Sequence, residues 1–89
     1  MDARQQLLVL AHGYAAARGI SLARVSTLVQ NQGAFFKKIE AGEAGFTFAT
    51  FDKCLRWFAA NWPEGTAWPA DIVRPEERGP ELASALAAG

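Results

Sequence analysis

Eighty-nine residues with nine basic and nine acidic side chains form one small, net-neutral domain, just large enough for a modest core. The single cysteine, Cys54, rules out an internal disulfide, and no CxxC pair or histidine cluster offers metal ligands, so neither metal nor cofactor is expected. The apolar run Leu7–Ala11 is too short to span a bilayer and lacks the basic start of a secretory signal. The expectation is a cytoplasmic protein with no membrane partner.

Charge is unevenly spread. Residues 1–61 carry seven basic and four acidic side chains, a net of +3, whereas 62–89 carry two basic and five acidic, a net of −3. A mildly basic helical part followed by an acidic tail permits a nucleic-acid partner without demanding one.

The first predicted helix runs from Asp2 to Arg18. Asp2 caps it with Gln5 three positions on, and Leu7, Leu10, Ala11 and Tyr14 fall on one stripe. Gly13 is a weak point within it, and Gly19 is placed to end it. Ser21 caps a short second helix with Leu22, Val25 and Val29 on its apolar face and Leu28 beside them. A polar joint, Gln30–Gly33, leads to a third helix from about Gly33 to Ala41, with Phe36 and Ile39 inward. Gly42 and Gly45 punctuate the following loop. Thr47 or Thr50 then caps a fourth helix to about Asn61, with Phe48, Phe51, Leu55, Phe58 and Trp62 as its stripe and Cys54 close by. Asp52 stands four residues before Arg56, the spacing of a surface ion pair.

Strand signals are almost absent, so the fold class is all-α: a compact four-helix domain over 1–61, then a Pro/Trp-rich strap and tail over 62–89. Prolines at 63, 69, 75 and 80 favour extended or polyproline backbone there. Trp62, Trp68, Ile72 and Val73 are too apolar for a free linker and are expected to cover the helices. The last piece, PELASALAAG, reads as one or two helical turns or as a fraying end.

A short second helix, a tight joint, a third helix carrying Lys37-Lys38 and closing on the IEAGE stretch, then a loop and a Thr-capped helix: this pattern resembles the lambda-repressor-like, XRE-type helix-turn-helix DNA-binding domain. The matching segment runs from about Ser21 to Phe58. The chain departs from the family in the joint. Val25 and Val29 stand where a small residue and a glycine are usual, and Gly33 comes late, so the joint is longer or rearranged.

The resemblance implies that the second helix crosses the phosphate backbone while the third enters the major groove. Asn31 and Gln32 would then read adenine, Ala34 and Phe35 would meet a thymine methyl, and Lys37 and Lys38 would reach guanine or phosphate. Arg24, Ser26, Thr27 and Thr47 would contact phosphate. The implied function is a sequence-specific double-stranded DNA-binding transcriptional regulator, a repressor, acting as a homodimer on a pseudo-palindromic site.

Blander readings stand beside these. Paired lysines are often only solvated, and Asn31 and Gln32 suit a cap and a turn. Phe35, beside the inward Phe36, is either packed under the tail or offered to a partner. The tryptophans read as core rather than as stacking platforms for single strands. His12 has no catalytic neighbour at recognisable spacing, and Cys54 reads as a small core hydrophobe, so no enzyme is expected. The rival function is a protein-interaction module, such as an adaptor, an antitoxin-like partner or an antirepressor, on the same helical scaffold.

Overall fold

The structure, a computed structural model, describes residues 2–75. Its four helices are α1 (Ala3–Arg18), α2 (Leu22–Gln30), α3 (Phe35–Glu40) and α4 (Phe48–Asn61), with no strand among the described residues. α1 packs against each of the other three, and α2 also touches α3 and α4.

Each helix begins where its capping chemistry dictates. Asp2 and Gln5 form a reciprocal capping box at α1: the Asp2 carboxylate accepts from the Gln5 amide at 2.8 Å, and the Gln5 side chain accepts from the Asp2 amide at 3.2 Å. Gly19 ends α1 in the left-handed conformation at φ 67°, which an L side chain adopts only under strain. The Ser21 hydroxyl accepts from the Arg24 amide at 3.0 Å to open α2. Of the two threonines in line to cap α4, Thr47 does so, accepting from the Thr50 amide at 3.1 Å. α4 stops at Trp62, whose extended backbone is the conformation favoured before Pro63.

The core contains Leu7, Leu10, Ala11 and Tyr14 from α1, Val25 and Val29 from α2, Phe36 and Ile39 from α3, and Phe51, Cys54, Leu55 and Phe58 from α4. These are the expected stripes, except that Leu22 and Trp62 are only partly buried against them and two further side chains point out. Phe48 is not part of the α4 stripe: it lies one turn before the buried Phe51, at the open end of the helix, and is 54% exposed. Leu28 faces outward at 41% exposed.

α3 is shorter than expected and starts late. Asn31 takes the left-handed conformation, φ 54°, as the C-cap of α2. Gln32–Ala34 then form a turn, closed by the Phe35 amide donating to the Gln32 carbonyl at 3.1 Å. Six residues cannot sustain a helix alone. Other helices hold both of its ends. No side chain of its own caps its N-terminus; instead the Phe36 amide donates to the hydroxyl of fully buried Ser26 at 3.1 Å. That hydroxyl in turn donates to the Leu22 carbonyl at 2.9 Å. At the other end the Arg4 guanidinium donates to the Ile39 carbonyl at 3.0 Å and the Glu40 carbonyl at 2.9 Å.

After α4 the chain makes two consecutive turns rather than the extended or polyproline backbone that its prolines suggest. The Trp62 indole N–H donates to the Thr66 carbonyl at 2.9 Å, and the Trp68 indole N–H to the Ile72 carbonyl at 2.6 Å. Pro63 and Pro69 therefore each start a turn that a tryptophan closes, with Thr66 amide to Pro63 carbonyl and Ile72 amide to Pro69 carbonyl both at 3.2 Å. Trp62 and Trp68 pack edge-on at 5.2 Å and lie against the core, and Ile72 is buried in it. The Trp62 ring covers Gly13, where an added Cβ would stand 3.4 Å from the indole. The expected terminal piece from residue 76 onward lies outside the described residues.

Ser26→Ala is expected to lower the unfolding free energy by about 1–3 kcal/mol, the cost of leaving a buried amide unpartnered. The measurement is urea unfolding, where the midpoint should fall at constant slope. An unchanged midpoint would show that the Phe36 amide needs no Ser26.

Candidate nucleic-acid interface

α2, the turn and α3 bring the expected contact residues onto two packed helices, but not in the roles expected for all of them. Ser26 is corrected outright. It is 0% exposed and its hydroxyl is spent between Leu22 and Phe36, so no phosphate reaches it. Asn31 and Gln32 do not start the third helix: Asn31 caps the C-terminus of α2 and Gln32 opens the turn. Both side chains remain exposed. Gly33 lies in the turn, where an added Cβ would stand 3.5 Å from the Thr27 hydroxyl.

Two hydroxyls in the expected phosphate set are already committed. Thr27 is exposed, but its hydroxyl donates to the Ala23 carbonyl at 3.1 Å. Thr47 accepts from the Thr50 amide and donates to the Thr50 hydroxyl, both at 3.1 Å. Ala34 and Phe35 are half-buried. Phe35 meets Phe36 edge-on at 4.9 Å and packs on the core, so its ring is shared between the interior and the surface.

Arg24, Lys37 and Lys38 are exposed and none of them is paired with a carboxylate among the described residues. Two acidic side chains pair elsewhere, while Glu43 is exposed just after α3, its amide donating to the Lys38 carbonyl at 2.9 Å. Glu40, at the end of α3, contacts His12 of α1 at 2.5 Å, and Asp52 pairs with Arg56 at 2.8 Å along α4. Lys37 and Lys38 sit in the last turn of α3, where positive charge complements the negative end of the helix dipole. As neighbours about 100° apart on the helix, they spread charge over a wide arc.

Sequence reasoning missed what sets α3 in place: it assigned no role to Arg4 and expected Ser26 on phosphate. Ser26 sits between Val25 and Val29, so its inward direction follows from helical spacing, but its partner ten residues on does not.

The described residues contain no group of three or more His, Cys, Asp or Glu side chains able to hold a metal, and no helix long and apolar enough to cross a membrane. Cys54 is buried, and burial raises its thiol from 9.0 to about 11, partly opposed by the nearby Lys53 charge. Comparison with known protein families, with curated proteins and with solved structures finds no match.

Two predictions follow from these positions. Asn31→Gly is expected to leave stability within a few tenths of a kcal/mol, whereas Asn31→Val costs about 1–2 kcal/mol because its Cβ branch opposes the left-handed backbone; thermal unfolding of both variants checks this. For Cys54, the unfolded thiol ionises near 9.0 and the folded one near 11, so the folded state holds its proton more tightly. The associated stability is present in full below pH 9 and is lost as pH rises through 11. Wild type should therefore lose more stability than Cys54→Ala across that window, and the thiol should react with an aromatic disulfide reagent near neutral pH only after denaturant is added.

Proposed function

We propose that the chain is a double-stranded DNA-binding transcriptional regulator of the helix-turn-helix kind, a repressor, with α2 and α3 as its DNA-facing elements. The observation that carries the reading is the unpaired trio Arg24, Lys37 and Lys38 on two helices packed together, while Glu40 and Asp52 are engaged away from them. Exposed, unpaired cations are what neutralise phosphates with release of counterions.

The geometry redistributes the roles within that reading. Arg24 is the phosphate contact on α2, since the hydroxyls of Ser26, Thr27 and Thr47 are engaged within the fold. Lys37 and Lys38 reach guanine or phosphate from α3. Asn31 and Gln32 present their amides from the turn that precedes α3, and Ala34 and Phe35 offer an apolar edge. So few contacts make one copy a weak binder. Two copies on a pseudo-palindrome, about one helical turn (~34–36 Å) apart, supply affinity and specificity.

The second reading, a protein-interaction module, is favoured by Leu28. It stands four residues after Arg24, on the same side of α2, and is 41% exposed. An apolar side chain there suits a protein partner better than a phosphate.

Fluorescence anisotropy with mixed duplex fragments at two salt concentrations separates the readings. Under the DNA reading wild type binds, the affinity falls steeply with salt, and Lys37→Glu/Lys38→Glu abolishes binding while leaving the circular dichroism unchanged. Folded wild type that ignores duplex at low salt sinks the DNA reading and leaves Leu28 as the place to look for a protein partner.

A further inference from the structure

Lys37 and Lys38 lie in the last turn of a six-residue helix, so their directions follow whatever holds that turn. Three amides from the residues around its end bond to it: Ala41 to the Lys37 carbonyl at 3.0 Å, Gly42 to Ile39 at 3.1 Å and Glu43 to Lys38 at 2.9 Å. These bonds are local and tie the turn only to itself. The hold from outside comes from Arg4 of α1, thirty-five residues away.

Arg4 grips backbone, not side chain. Its Nε donates to the Ile39 carbonyl at 3.0 Å and its Nη2 to the Glu40 carbonyl at 2.9 Å. The Glu40 carboxylate goes instead to His12, further along α1. Nε and Nη2 share one edge of a rigid, planar guanidinium, so meeting two successive carbonyls fixes angle as well as distance. A lysine has no such edge. The Ile39 carbonyl accepts from both Arg4 and the Gly42 amide, so the outside hold and the local one meet at one atom.

Phosphate contacts depend chiefly on charge, whereas base contacts need a donor aligned with a particular base edge. A hold that sets the angle of α3 therefore matters to the second kind far more than to the first. We propose that Arg4 is a positioning residue for base reading: it contacts no DNA itself and fixes α3 so that Lys37 and Lys38 meet base edges. This inference rests on the DNA reading above. Loss of Arg4 lowers discrimination between duplexes and leaves salt-dependent binding to any duplex in place.

The test compares wild type, Arg4→Met and Arg4→Lys as full chains. Amide hydrogen exchange without DNA reports on the helix. In both variants the Ala41, Gly42 and Glu43 amides should exchange about tenfold faster, with the α4 amides unchanged. Arg4→Lys, which keeps the charge, carries the comparison if Arg4→Met does not fold. Fluorescence anisotropy then uses two probes: the duplex that wild type enriches from a randomised pool, and the unselected pool. The ratio of the two affinities should fall about tenfold in both variants, the worth of one base contact. The salt slope on the unselected pool should match wild type.

A slope smaller by about 0.9 in Arg4→Met makes Arg4 a phosphate contact and overturns the proposal. Faster exchange with an undiminished ratio overturns it too, because α3 then reads bases without this hold. So does a fallen ratio with unchanged exchange, or a wild-type ratio in Arg4→Lys, which reduces the role to charge. If wild type binds no duplex, or enriches none from the pool, the DNA reading falls and takes the proposal with it. The exchange result separates that outcome from a failure of Arg4 to hold α3.

Discussion

The arrangement of this chain depends on a helix that cannot stand alone. α3 has six residues, no cap of its own at the N-terminus, and a single turn of internal hydrogen bonds. Ser26 of α2 accepts one of its orphan amides, and Arg4 of α1 donates to the carbonyls at its other end. Both partners are fixed by their own elements. Ser26 is locked by the Leu22 carbonyl one turn back, and Arg4 lies one turn into a helix held by a capping box. The position of α3 relative to α1 and α2 is therefore set by directional bonds at its ends, with Phe36 and Ile39 supplying the burial between them.

A second constraint comes from aromatic packing. Tyr14 meets Trp57, Phe58 and Trp62 at ring separations of 5.2, 5.9 and 6.3 Å, and Trp62 continues the stack to Trp68. Arg18 and Arg74 close its two ends over Tyr14 and Trp68 at 5.6 and 4.8 Å. An indole buried this far needs a partner for its N–H, and both tryptophans find one in the carbonyls of the proline-started turns. The segment after α4 is thus folded onto the helices by the same residues that give it its apolar character. Gly13 fits this packing: the helix gives up propensity at that position and gains close approach of the Trp62 ring.

Where local chemistry decides the structure, the sequence was readable. The Asp2, Ser21 and Thr47 caps, the stop at Gly19, the break at Pro63 and the inward residues of α1 and α2 all depend on neighbours within a turn. The joint was less so. Asn31 was recognisable as a cap residue, yet its left-handed backbone ends α2 and delays α3 by two positions from Gly33, which moves Asn31 and Gln32 off the helix they were expected to begin. Phe48 fits the α4 stripe by spacing, but it lies in the first turn, beyond the reach of the packed helices. Ser26 and Arg4 were opaque because their partners lie ten and some thirty-five residues away, and no periodicity encodes such a distance.

Building α3 from its neighbours separates two sets of residues. Those that place the helix, Ser26 and Arg4, spend their polar groups internally; Lys37 and Lys38 are exposed and pair with no carboxylate among the described residues. The acidic side chain of α3 takes part in this division. Glu40 turns to His12 on α1, so it pairs with the scaffold rather than with the lysines of its own helix. In a chain that is neutral as a whole, screening over about 10 Å makes the local arrangement of charge, rather than the net charge, the quantity a binding partner encounters.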